Sequence, residues 1–261
     1  RAPLEYGTLA YLQEEVYKMC DTLKRGRAGA PWSLPNEILK ILTADMRGYD
    51  ERRSQPKDTD TRTEEQKQPQ RPATAHIVSD VVLHSLEACH APQDWADGMA
   101  NQAEKNNGKS KCAAKRLVFT LDSFGSVATK VCIRKHPEEQ APYQWGFTPH
   151  CSVTDGVLCA TATPQRISKS GRGFLCEFLD QATAFPAMEW NPLFANLIRA
   201  PDNLTNWLEN LHRRTRTILA TPDGTLSLRR KKGMQEGSSA GPGLFKGGFH
   251  HPTERWAPEL R

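Results

Sequence analysis

The sequence is short of most features that announce a function. No stretch approaches the roughly 18 consecutive apolar residues that a membrane-spanning helix needs, so the chain is read as not inserting into a membrane. Seven Cys in 261 residues are too sparse for a small disulfide scaffold, and none sits in a Cys-x-x-Cys pair. The nucleophile elbow, the Walker phosphate loop, the zinc-protease helix, the calcium loop and the kinase signature set are all missing. No repeat recurs at a solenoid or propeller period. The segment Gly241-Pro242-Gly243-Leu244-Phe245-Lys246-Gly247 has the glycine content of a phosphate loop, without its spacing or the strand and helix that should flank it. These gaps leave no residue to nominate as catalytic, and the sequence calls for no cofactor and no metal. They turn attention from chemistry to binding.

What is present is a chain long enough for a real core, with 38% apolar residues. Leu9, Leu12, Val16, Met19 and Leu23 recur at helical spacing behind Thr8. A second helix is predicted from Ser33, an N-cap residue with Pro35 in the first turn, and Leu34, Ile38, Ile41, Leu42 and Met46 form its apolar stripe. Together they predict a helical hairpin over residues 1–47. Residues 48–75 then change character. Between Tyr49 and Ile77 there is no aromatic or branched aliphatic residue, so this stretch reads as a disordered linker or insertion.

Residues 76–232 read as an α+β domain. The run Ile77-Val78, Val81-Val82-Leu83, Leu86 and Cys89 favours a helix over 74–90, and residues 101–111 read as a polar loop. Alternation in 116–122 and again in 127–134, around Ser123-Phe124-Gly125-Ser126, predicts an antiparallel hairpin. Further strand candidates are 143–148, 156–163 and 173–179, giving an antiparallel sheet of about four or five strands. Leu204, Trp207, Leu208 and Leu211 then share one face of a helix over 203–214, capped by Asp202 or Asn203. The turn Thr221-Pro222-Asp223-Gly224 joins Ile218-Leu219 to Leu226 and Leu228 in a short hairpin. Residues 233–261 read as a Gly-rich flexible tail.

The charge is unevenly spread. Residues 1–50 carry 7 Lys/Arg and 7 Asp/Glu, whereas residues 201–261 carry 10 and 6, most of the net +5. Arg213, Arg214, Arg216, Arg229, Arg230, Lys231 and Lys232 face only Asp223 among the acids from 213 to 232. An antiparallel hairpin would carry 216–219 opposite 226–229, so the two clusters would meet on one edge. Lys169 and Arg172 would extend the patch if the fold allowed. Such a surface attracts polyanions. The expectation is a non-catalytic binding or assembly protein that contacts RNA, as in a ribonucleoprotein assembly, or an acidic protein surface. Aromatic residues are not interleaved with these cations, as a base-stacking surface would want.

Other residue types have weaker cases. Cys132, His136, His150, Cys151 and Cys159, or His84, Cys89 and His90, have loose zinc-like spacing, but buried Cys is ordinarily a small hydrophobe. The adjacent carboxylates Glu14-Glu15 and Glu138-Glu139 read as solvated charges. The chain begins at Arg1, which is read as a processed N-terminus and so as organelle import or secretion. Two alternatives follow: a secreted, disulfide-containing interaction protein such as a pathogen effector, in which Cys151 and Cys159 bridge locally and the sequon Asn203-Leu204-Thr205 is relevant; and a hydrolase or nuclease without a recognisable motif.

Overall fold

A computed structural model describes residues 9–27, 29–44, 71–105, 115–134, 145–148, 150–176, 184–195 and 202–256. The first helix, α1 (Leu9–Asp21), turns Leu12, Val16, Met19 and Cys20 inward. Helix α2 (Asn36–Thr43) follows after a fourteen-residue connection, 22–35, and packs on it, so the expected pair of N-terminal helices forms. Its buried residues are Leu39 and Thr43, while Ile38 and Ile41 face outward. Pro35, not Ser33, takes the N-cap position. The Ser33 hydroxyl instead accepts the Ser123 backbone N–H at 2.8 Å, capping a helix ninety residues away in sequence.

Helix α3 (Ala73–Glu87) buries Val78, Val82 and Leu86, a stripe at i, i+4 and i+8, against α1 and α2. A single turn, α4 (Gln93–Ala96), leads into β1 (Gly98–Glu104), which pairs antiparallel with β2 (Lys115–Leu121). Helix α5 (Ser123–Arg134) follows β2 at once. Helix α6 (Val153–Lys169) and two short turns, α7 (Ala184–Ala187) and α8 (Trp190–Ala195), precede α9 (Asp202–Arg214). Next come β3 (Arg216–Thr221) and β4 (Gly224–Arg229), joined by the two-residue turn Pro222-Asp223, and finally α10 (Gly241–Trp256).

The fold is α+β with a four-stranded sheet in the order β2-β1-β3-β4. Its two antiparallel pairs are joined by a short parallel contact, Gly98 to Thr217 through Ala100 to Leu219, so the sheet is mixed. Trp207 ties the layers together. Its side chain is fully buried, and its indole N–H donates to Ser85 Oγ at 2.9 Å, fixing α9 on α3. No helix among the described residues is long and apolar enough to cross a membrane.

Several expectations need correcting. Residues 123–134 form a helix rather than the second arm of a hairpin, and the partner of β2 is β1. Val127 and Val131, with Ala128 and Cys132, also satisfy a helical period, and all four are buried. Asp122 settles the choice by accepting the Gly125 N–H at 3.0 Å at the helix start. Gly125 then lets α5 approach α4 closely, since a Cβ there would lie 2.9 Å from the Trp95 carbonyl oxygen. Strand β1 occupies part of the segment read as a polar loop. Residues 156–163 lie inside α6, whose capping box pairs Ser152 with Asp155. Residues 145–148 and 173–176 are not strands; 143–144 and 177–179 lie outside the described residues, as do 48–70 of the linker, whose last residues are ordered instead, Arg71 pairing with Glu14 and Ala73–Ala75 opening α3. The Gly-rich stretch after 232 carries α10, and Met234, Ala240 and Leu244 join the core. Glycine there serves close packing: a Cβ on Gly248 would lie 2.6 Å from Met188 Cε.

Candidate interaction surface

The seven cations divide into two groups. Three are held in ion pairs. Arg216, at the start of β3, binds the buried carboxylate of Asp97 through both Nε and Nη2, the first at 3.0 Å. That bond, the largest influence on it, holds the guanidinium more firmly protonated than usual. Arg213 donates to Glu209 at 2.6 Å, one turn earlier on α9, and lies over the Trp190 ring. Lys232 sits 3.5 Å from Glu189, both side chains exposed.

The other four have no carboxylate partner among the described residues. Arg214 is nevertheless consumed by the fold: it donates to the Ala91 carbonyl at 2.7 Å and to Gln93 Oε1 at 3.2 Å, stapling the end of α9 to the turn before β1. Arg229, Arg230 and Lys231 are consecutive at the base of β4. Arg230 folds over the Phe119 ring, 4.7 Å from its centroid, and donates to Thr217 Oγ1 and to the Met234 carbonyl. Burial lowers its pKa from the usual arginine value. Arg229 and Lys231 are exposed, and among the described residues their side chains have no ion pair or hydrogen bond.

The basic region is therefore smaller than the sequence implied. Arg216 and Arg229 do stand opposite one another in the ladder, as the hairpin argument required. Asp97 cancels the first and leaves the second. The acids responsible, Asp97, Glu189 and Glu209, were not part of the sequence reading. Only Glu209 was detectable, because it stands four residues before Arg213 on a helix.

Around these cations the sheet edge is open. Every residue of β4 is exposed, including Leu226 at 46% and Leu228 at 50%. Strand pairing places Leu226 and Leu228 on the same face as Phe119, Leu121 and Leu219. An apolar strip thus runs to the edge and ends beside Arg229–Lys231. Lys169 and Arg172 line a cleft of about 550 Å³ with Pro164, Gln165, Ser168 and Phe174, none of them from the basic 213–232 region. No hydrogen bond or ion pair links them to residues 213–232 among the described residues.

Among the described residues the cysteines and histidines do not assemble. Cys20, Cys89, Cys132, Cys151, Cys159 and Cys176 are free thiols, so the local Cys151–Cys159 bridge is not formed, and both residues are exposed. Residues 154–156, taken as a turn between them, belong to the first turn of α6. Burial pushes the Cys20 thiol up to about 11 and raises Cys132 further, the state of an inert core thiol. His136 lies outside the described residues; among those described, no three His, Cys, Asp or Glu side chains are grouped to hold a metal ion. Glu14 and Glu15 are not free charges: Glu14 pairs with Arg71, and buried Glu15 pairs with Lys18 and Arg134.

No known family model matches this chain, and no curated protein matches it.

Proposed function

We propose that this chain is a non-catalytic binding protein that uses the base of β4 to hold an acidic protein partner. The observation that carries the reading is the contrast among the seven cations. Arg213, Arg216 and Lys232 are neutralised within the chain, while Arg229, on the opposite face of β4 from Leu226 and Leu228, and Lys231 just beyond it stand exposed. Charge next to apolar area is the composition of a protein-binding edge. An RNA surface is the weaker reading of the same residues. No aromatic residue occurs from 213 to 232, and among the described residues the two rings that these cations lie over, Phe119 and Trp190, are each covered by an arginine, which leaves a poor stacking surface for bases.

Titration of the full chain with poly-glutamate and, separately, with single-stranded RNA at increasing salt tests this. The expected result is salt-sensitive binding of poly-glutamate that weakens about tenfold when Arg229 and Lys231 are both changed to Glu. Tighter binding of RNA, weakened by the same pair, would replace the acidic partner with a nucleic acid. Binding of neither polymer would remove the reading.

A further inference from the structure

We infer that β4 recognises its partner by strand addition: an extended acidic segment pairs along the free edge of β4 and continues the sheet as a fifth strand. This deepens the reading above and rests on it.

The backbone provides the first argument. The Arg230 N–H donates to the Thr215 carbonyl at 3.1 Å, one step beyond the Thr217–Leu228 pair. In an antiparallel ladder alternate residues share this role, so Leu226, Leu228 and Arg230 direct their backbone groups to β3. Thr225, Ser227 and Arg229 then direct theirs away from the sheet. No hydrogen bond occupies those three residues' outward groups among the described residues. The edge offers a row of N–H donors and carbonyl acceptors, a template that an added strand satisfies.

The side chains restrict what can pair there. On one face, Leu226 and Leu228 are half exposed and would be covered by apolar residues at alternate positions of the added strand. At the strand's base the uncompensated cations are consecutive, and the pleat sends Arg229 to one face and Arg230 to the other, with Lys231 beyond. Carboxylates at that end of the incoming segment would meet positive charge on either face. A second copy of this chain is a poorer occupant, because it would add cations to the joined edge instead of cancelling them. A folded acidic surface would use the charge and leave the backbone row unpaired.

The experiment is fluorescence anisotropy of a labelled peptide in which Glu alternates with Val, titrated with the full chain. Three comparisons accompany it: the same peptide N-methylated at alternate residues, the variant Ser227→Pro, and the double variant Arg229→Glu, Lys231→Glu. Pro at 227 removes an outward donor without touching the β3–β4 ladder, and Ser227→Thr is the control that keeps that donor. The expected result is saturable binding that weakens about tenfold or more with N-methylation, with Ser227→Pro and with charge reversal, and is unchanged in Ser227→Thr. If charge reversal weakens binding but N-methylation and Ser227→Pro do not, strand addition is wrong while the acidic-partner reading survives. If charge reversal also has no effect, both fall. No peptide binding beside clear poly-glutamate binding overturns strand addition alone. A dimer in sedimentation that Ser227→Pro dissociates overturns it as well, in favour of self-pairing.

Discussion

The two strands of the β3–β4 hairpin are built on opposite terms. Where β3 leaves α9, the polar groups are taken: Arg214 by the Ala91 carbonyl, Arg216 by Asp97, and the Thr215 hydroxyl by the Leu211 carbonyl. Thr215 and Thr217 are buried there, and His212 and Trp207 sit in the core just behind. Across the ladder, β4 is exposed throughout and Arg229 at its end faces water. Adjacent strands of one sheet therefore treat the same residue type differently. A guanidinium near α9 is a structural fastener, and one on β4 is available to another molecule. A count of basic residues could not distinguish them, since what matters is whether an acceptor from a distant part of the chain reaches each one.

This contrast can be attacked from the structural side first. Trp207→Ala should have the largest effect, a loss of about 3–5 kcal/mol in urea unfolding, because the ring is fully buried and its N–H is bonded. Leu228→Pro should cost about 3 kcal/mol by removing a ladder N–H and forcing φ. Removing the acceptor at the fastened end, Asp97→Ala, should cost about 1–2 kcal/mol. That is less than for a fully buried pair, because the Arg216 side chain is 43% exposed. Ser227→Pro should change stability by under about 0.5 kcal/mol. If Ser227→Pro and Leu228→Pro proved equally damaging, the assignment of inward and outward groups along β4 would be wrong.

Acid should act on the fastened end alone. His212 is buried, its Nδ1–H donates to the Leu208 carbonyl at 2.8 Å, and Nε2 lacks a partner. Burial, the leading cause, lowers its pKa from the ordinary histidine value, and Arg230 acts in the same direction. The unfolded chain therefore takes up a proton that the folded chain resists. The stability this provides is fully present above about pH 6.5 and is lost as pH falls toward the folded value, with a slope up to about 1.4 kcal/mol per pH unit. His212→Asn keeps a donor near Nδ1 and removes the titration, so denaturant midpoints measured from pH 7 to 5 should flatten. Parallel curves for both proteins would show that another group governs the acid response.

Much of the architecture was legible because single periods dominated. Leu12, Val16, Met19 and Leu23 could only be a helical stripe, and Leu204, Trp207, Leu208 and Leu211 likewise. The turn Thr221-Pro222-Asp223-Gly224 announced β3 and β4, and only their ends were set too short. Failures arose where two periods fit one segment. Val127, Thr129, Val131 and Ile133 alternate, yet Val127, Ala128, Val131 and Cys132 also line a helix, and the capping carboxylate at 122 was the deciding signal. Strand β1 was hidden by Asn101, Gln102 and Glu104, polar residues whose side chains are exposed. The candidate surface was legible only in composition. Asp97 lies 119 residues before Arg216, so no local pattern announces that this cation is spent, and the open edge of β4 becomes visible only once the strand order is known.

On the proposed reading, the exposed cations Arg229 and Lys231, and not the basic region as a whole, make the contact. Two double variants should be compared in one poly-glutamate salt titration: Arg229→Gln with Lys231→Gln, and Arg213→Gln with Lys232→Gln. Both remove the same formal charge from the same stretch of chain. The account requires the first pair to weaken binding about tenfold and flatten its salt dependence, and the second to leave both nearly unchanged. Equal losses from the two pairs would contradict it, because binding would then follow net charge and not the geometry of the sheet edge.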